Sequence, residues 1–276
     1  MPEGHTLRRL AGLLDEAFQG QPVRVSSPQG RFAVEARELD GAVLLGADAK
    51  GKQLFIEFEP DRFVHVHLGL IGKFDVTRGV AEVPEPVGAV RLRLATEHAY
   101  ADLRGATRCD LVGPERVAQV LATLGPDPLR PDGDPAVVWA AVRRSTRPIG
   151  DLLMDQKVIS GVGNVYRAEV LFRHRIHPLR AGSSLTRAQF TAIWDDLVVL
   201  MTTGVDTGRI DTVRHEHTPE AMGRAARKDD HGGEVYVYRR AGMPCHVCAT
   251  PVRSSTLVGR NLFWCSKCQP APRPRA

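Results

Sequence analysis

Two groups of residues in this chain have the types and spacing that chemistry requires. The first is Pro2-Glu3 at the start. Removal of an initiator methionine ahead of proline leaves a secondary amine. α-Amino groups titrate near ~7.7–8.0, so a neutral, nucleophilic fraction exists at neutral pH. Such an amine can attack an electrophilic sugar carbon and form an iminium, as lysine does in Schiff-base chemistry. Glu3 stands beside it as a general acid or base. Taken alone, Pro-Glu is also an ordinary way for a chain to begin. The second group is Cys245/Cys248 with Cys265/Cys268, two CxxC pairs separated by 16 residues. That spacing suits a β-hairpin between two knuckles of a tetrahedral zinc site, and four thiolates leave no position for water, so the zinc is structural. A redox CxxC would sit beside a βαβ pattern, which is missing here. Cys109 reads as a buried free thiol.

Other signals are weaker. Lys52 follows Gly51 between two strand-like segments, where a lysine can reach a phosphate, protonate a leaving group, or simply be solvated. Gly161-Val-Gly163-Asn164 links two helical segments, and the following helix N-terminus presents free N–H groups to an anion. Asn164 is expected to cap that helix and to touch a phosphate. His65 and His67 alternate along a strand and read as satisfied strand histidines rather than metal ligands; His215, His217 and His231 read as solvated.

The elements that must position these groups follow from periodicity. Residues 5–18 place Leu7, Leu10, Leu14 and Phe18 on one helical face. Seven β-like segments follow between 23 and 103, as in a sandwich or barrel. Residues 125–135 carry four prolines and close this part. Helical patterns then dominate at 136–144, 149–154, 164–172 and 186–202, the last opening with a Thr cap. A polar stretch at 208–234 reads as a mobile loop. The expected architecture is α+β: a catalytic β-sandwich domain with a leading helix (1–125), a helical domain (126–234) and a zinc hairpin (235–276).

Of the 276 residues, 43% are hydrophobic and 25% charged, an ordinary globular composition. No apolar run approaches the ~20 residues of a membrane span, and the first residues lack the pattern of a secretory signal. A cytoplasmic location is therefore expected. The net charge of +5 is concentrated: residues 239–276 hold six Arg and one Lys with no Asp or Glu. A basic C-terminal module suggests a phosphate-rich partner or a solubilising tail.

Taken together in order, the motifs resemble the formamidopyrimidine-DNA glycosylase and endonuclease VIII family along nearly the whole chain. They are Pro2-Glu3-Gly4, Gly51-Lys52, His67-Leu-Gly-Leu70, and Leu124-Gly-Pro-Asp-Pro-Leu129. Next come Leu153-Met-Asp-Gln156 through Gly161-Val-Gly-Asn164-Val-Tyr166, then Glu169-Val-Leu-Phe172, Gly259-Arg260 and Trp264-Cys-Ser-Lys-Cys268. The resemblance implies a monomer acting on duplex DNA with damaged bases or abasic sites, associated with chromosomal DNA. Pro2 would attack the deoxyribose anomeric carbon and expel the base. Glu3 would serve as acid–base, and Lys52 would help in proton transfer and phosphate contact. β- and δ-elimination would then cut the strand. Asn164, in a helix–two-turn–helix, and Arg260, near the hairpin tip, would hold phosphates. Glu169 would position the core near the site, and one structural zinc would hold the hairpin.

Leu70 and Ile71 occupy the family's void-filling place, the alternative being strand core. Gly150 stands where the formamidopyrimidine type has a phosphate-binding lysine. The Met-Pro-Glu-Gly opening is similar to endonuclease VIII, and Asp102-Leu-Arg104-Gly departs from the formamidopyrimidine type, which implies oxidised pyrimidines over 8-oxoguanine. The competing readings are 8-oxoguanine-type specificity, a non-catalytic DNA clamp, and an unrelated zinc-ribbon factor.

Overall fold

The computed structural model describes residues 2–228 and 233–271. It divides into two compact units, Met1–Thr123 and Leu124–Ala276.

The first unit opens with helix α1 (Gly4–Phe18), then β1 (Arg24–Ser26) and α2 (Ala33–Leu39). Strands β2 (Leu44–Lys50), β3 (Gln53–Phe58), β4 (Arg62–His67), β5 (Lys73–Arg78), β6 (Val90–Ala95), β7 (Ala99–Arg104) and β8 (Arg108–Val112) follow. Helix α3 (Pro114–Ala122) closes the unit. The strands form two antiparallel sheets, ordered β1-β6-β7-β5 and β2-β3-β4-β8. Successive side chains on a strand face opposite ways. Leu54, Ile56 and Phe58, Val64 and Val66, and Leu92 and Leu94 therefore all enter one core, joined by Leu7, Leu10, Leu14 and Phe18 of α1. This is the expected sandwich with its leading helix. Cys109 is buried in it, and burial pushes its thiol up to about 12.

The outer side of β6 and β7 carries a buried ion pair. Arg93 donates from Nε and Nη2 to both oxygens of Asp102, at 2.7 and 2.8 Å, and Arg104 adds a third bond at 2.8 Å. The bidentate fork suits a guanidinium where a lysine could not make both bonds.

The second unit holds α4 (Pro135–Val142), α5 (Ile149–Leu152), α6 (Asn164–Arg173), α7 (Arg187–Thr207), α8 (Pro219–Met222), and the hairpin β9 (Arg253–Leu257) and β10 (Arg260–Trp264). Thr186 caps α7 reciprocally with Gln189, as the sequence predicts. Helix α6 is buried from Asn164 to Phe172 because other elements surround it. Its core includes Phe263, Cys245 and Cys265, so helices and hairpin share one interior. Within the 208–234 stretch, expected as a mobile loop, described residues on both sides are anchored. Thr212 is 1% exposed and bonded to Glu234 O, and Arg224 pairs with Glu234 at 2.7 Å. His231 lies outside the described residues.

Replacing Asp102 by Ala leaves two arginines without their shared carboxylate. Breaking such a buried pair costs about 3–5 kcal/mol. Urea unfolding should show that loss, with a far smaller one for Glu16→Ala, whose bond to Arg78 is exposed.

Candidate functional site

Glu3 is fully buried at the start of α1, with Pro2 half-buried beside it. Its own N–H reaches Thr6 Oγ1 at 3.4 Å, and Thr6 N–H donates to Glu3 O at 2.9 Å. The positive end of the helix dipole favours a carboxylate here. His5 is 4% exposed and has Nε2 at 3.2 Å from Thr6 Oγ1. Burial, reinforced by the positive N-terminus, holds its imidazole neutral, down to about 4.

Lys52 sits in a two-residue turn closed by Lys50 opposite Gln53. Gly51 takes φ +60° at the first turn position, which a II′ hairpin requires and which a side chain would resist. Helix α1 runs along β2 with a fixed sense. Gln19 bonds Leu45 O, Asp15 accepts from Ala47 N–H, and Arg8 pairs with Asp48. The start of the helix, bearing Pro2 and Glu3, therefore lies toward the Gly51-Lys52 turn. The structure thus orients the two weak sequence signals toward each other.

The turn between β4 and β5 carries Leu70 and Ile71, which are 64% and 80% exposed. They are not strand core. Two glycines shape this turn: a Cβ on Gly72 would stand 2.3 Å from Leu68 O, and one on Gly69, at φ +71°, would meet Thr107 Cγ2 at 2.4 Å. Two large apolar side chains are thus held in solvent by a tightly packed backbone. His67 braces it, its Nδ1 accepting the Gly69 N–H at 3.1 Å. The imidazole titrates below its usual range because it is desolvated and faces the Lys52 ammonium.

In the second unit the glycine turn before α6 is pinned by Gln156, which accepts the Gly161 N–H and donates to Met154 O and Val162 O. Gly125 fits against it because a Cβ there would meet Val158 O at 2.6 Å. Asn164 departs from expectation. Gly163 is the cap position, and Asn164 is the first helical residue. Its amide is drawn away from the cap, donating to Asn261 O at 3.0 Å and accepting from Arg167. Arg167, 1% exposed, also donates to Asn261 O at 2.8 Å and Gly150 O at 3.3 Å. Asn164 therefore ties α6 to the hairpin residue that follows Arg260. Arg167 escaped the sequence reading; its place three residues along the same helix face was the available signal.

Arg260 is exposed at the hairpin tip, after a two-residue turn in which Val258 and Gly259 both take positive φ. Glu169 is wholly buried and takes four hydrogen bonds. Oε2 accepts from Thr212 Oγ1 and Tyr236 N–H at 2.7 and 2.6 Å, and Oε1 from Val237 and Tyr238 N–H at 2.9 and 2.8 Å.

The four cysteine sulfurs lie within 4.8 Å of one another, with the Cys245–Cys268 and Cys248–Cys265 pairs at 3.9 and 3.4 Å. Tetrahedral zinc with bonds near 2.3 Å places sulfurs about 3.8 Å apart, so the donor set fits a closed structural zinc. Gln269, fully buried, accepts from Cys265 N–H and donates to Ile176 O, which fixes the second knuckle to the chain after α6.

Residues 1–109 match the formamidopyrimidine-DNA glycosylase N-terminal domain, and 124–215 its H2TH domain. Endonuclease 8 1 of Mycobacterium tuberculosis is 50% identical over 279 residues, covering 98% of this chain and all of that protein. Formamidopyrimidine-DNA glycosylase of Parasynechococcus marenigrum is 32% identical over 285 residues, covering 98% and 99%. Among solved structures, the Lactococcus lactis Fpg complex with abasic-site DNA aligns with a TM-score of 0.76 at 23% identity, over 98% of this chain and 99% of that one. MutM with carbocyclic 8-oxo-G DNA gives 0.78 at 21%, over 98% and 100%.

Zinc removal should act locally. Cys265→Ser should release the metal and lower the stability of the second unit, because zinc ligation is folding energy in such modules. Metal analysis with circular dichroism checks this; a zinc-replete, fully stable mutant would contradict the assignment. A thiol reagent at pH 8 should leave Cys109 unmodified until denaturant is added.

Proposed function

The chain belongs to the formamidopyrimidine-DNA glycosylase family, as a base-excision-repair DNA glycosylase with lyase activity, and we propose that it removes oxidised pyrimidines through an iminium on Pro2. The observation that carries this reading is the orientation of α1, whose start brings Pro2 and the buried Glu3 toward the Lys52 turn. In the proposed reaction the neutral Pro2 amine attacks the anomeric carbon as the C–N bond to the base breaks. Glu3, at the helix N-terminus, takes and returns protons at the opened sugar. Lys52 supplies a proton or holds a phosphate. β-Elimination breaks the 3′ C–O bond, and δ-elimination the 5′ one.

The grip falls to the other residues. Arg260 is exposed and set on a rigid tip, which suits a phosphate contact. Asn164 contributes mainly by holding Asn261, with one amide hydrogen left for a phosphate. Glu169 is a positioning residue for this region. Leu70 and Ile71 project as an apolar wedge, able to fill the void left by a flipped nucleotide. The pyrimidine preference is supported by the 50% identity to Endonuclease 8 1 and by the Pro-Glu-Gly opening.

Borohydride trapping on duplexes carrying thymine glycol, dihydrouracil, 8-oxoguanine or an abasic site tests the chemistry. A covalent band with pyrimidine lesions, lost in Pro2→Gly, is expected. A band with 8-oxoguanine alone would overturn the substrate class, and none on any lesion would leave a non-catalytic clamp. Separately, Arg260→Ala should reduce the salt slope of duplex binding by about one contact, and an unchanged slope would remove Arg260 from the grip.

A further inference from the structure

The geometry assigns His65 as a positioning residue for the Lys52 turn, an inference that rests on the reading of Lys52 above. His65 is 2% exposed on β4, on the face turned away from the sandwich core. Its Nε2 lies 2.8 Å from Gln53 Oε1. A carboxamide oxygen can only accept, so Nε2 carries the proton and donates. Nδ1 is then an acceptor, and it is buried with no hydrogen-bond partner among the described residues. The ring stacks on Phe55 at 4.6 Å, with 21° between planes, so its orientation is fixed. Arg108 and Asp110 of β8 and Arg116 of α3 complete its charged surroundings.

A valine or isoleucine at this position would suit a buried strand without stranding an acceptor. The imidazole therefore costs stability, and what it gains is the single bond to Gln53. That bond falls where backbone pairing stops. The β3–β4 ladder runs from Phe58 opposite Arg62 to Leu54 opposite Val66, and Gln53 lies beyond it. Gln53 pairs across the turn with Lys50 of β2, and Lys52 is its immediate neighbour. The end of the hairpin that bears Lys52 thus lies past the last β3–β4 pair, and the His65–Gln53 bond joins it to β4. A two-residue turn has no slack, so a shift at Gln53 is a shift at Lys52.

The test is single-turnover excision and duplex affinity for wild type, His65→Val, Lys52→Ala and the double variant. Small misplacements of a reacting group cost up to about a hundredfold, so H65V is expected to slow excision roughly tenfold with unchanged affinity. In the K52A background H65V should have no further effect. Gln53→Leu should reproduce the loss from the more exposed side, which keeps the inference testable if H65V folds poorly. Equal slowing by H65V in both backgrounds, or none in either, would overturn the positioning role while leaving that of Lys52 intact. A K52A protein as fast as wild type would remove Lys52 from the chemistry and overturn both.

Discussion

The second unit depends on one buried carboxylate. Glu169 lies in the middle of α6, where a charge without partners would be prohibitive. Four donors make it tolerable, three of them consecutive backbone N–H groups of residues 236–238. Those N–H groups belong to the segment that leads directly into the first zinc knuckle, and the fourth donor, Thr212, anchors the chain leaving α7. A single side chain therefore fixes the helix, the approach to the metal and the return of the 208–234 stretch. Hydrogen bonds to a charged group are the strong ones, and leaving their partners unmet is costly.

From that anchor the rest of the unit follows. With α6 held, Asn164 and Arg167 at its first turn bind Asn261, the strand residue next to Arg260. Zinc closes the base of the same hairpin, and Gln269 ties that base to Ile176. The hairpin is thus bonded to the helical part at both ends, with Arg260 exposed on its tip. The first unit uses the same device more simply. Glu3 is buried at the N-terminus of α1, where the backbone supplies the compensating field, and α1 is pinned to β2 by Arg8, Asp15 and Gln19.

Local signals were legible where one element carries the message. The α1 stripe, the alternating strands from β3 to β7, the Thr186 cap and the CxxC pairs each depend on short spacing, and each has its structural counterpart. What sequence could not show was tertiary competition for a side chain. Asn164 has the residue type of a helix cap, yet a carbonyl almost a hundred residues away takes its amide instead. In the 208–234 stretch some polar groups are bonded inward, Thr212 to Glu169 and the Arg227 N–H to Glu234, which composition does not reveal. Helices α2 and α3 and strand β8 were missed for a related reason. Each is short, and although α3 sets Val117, Val120 and Leu121 at helical spacing it buries none of its residues.

Most large apolar side chains of the first unit lie inside the sandwich, yet Leu70 and Ile71 stand out on a turn whose two glycines are wedged against Leu68 O and Thr107. Hydrophobic burial would favour folding these side chains back. The turn cannot do so without breaking the Gly69–His67 bond and the close approach at Gly72. Exposure here is imposed by backbone packing, and the local structure bears its solvation cost continuously. Such a cost is recovered only when another surface covers the side chains. Under the wedge role proposed above, a base stack opened by nucleotide flipping is an apolar surface of that kind, and a turn backbone already held in place limits the entropy lost to that of the two side chains.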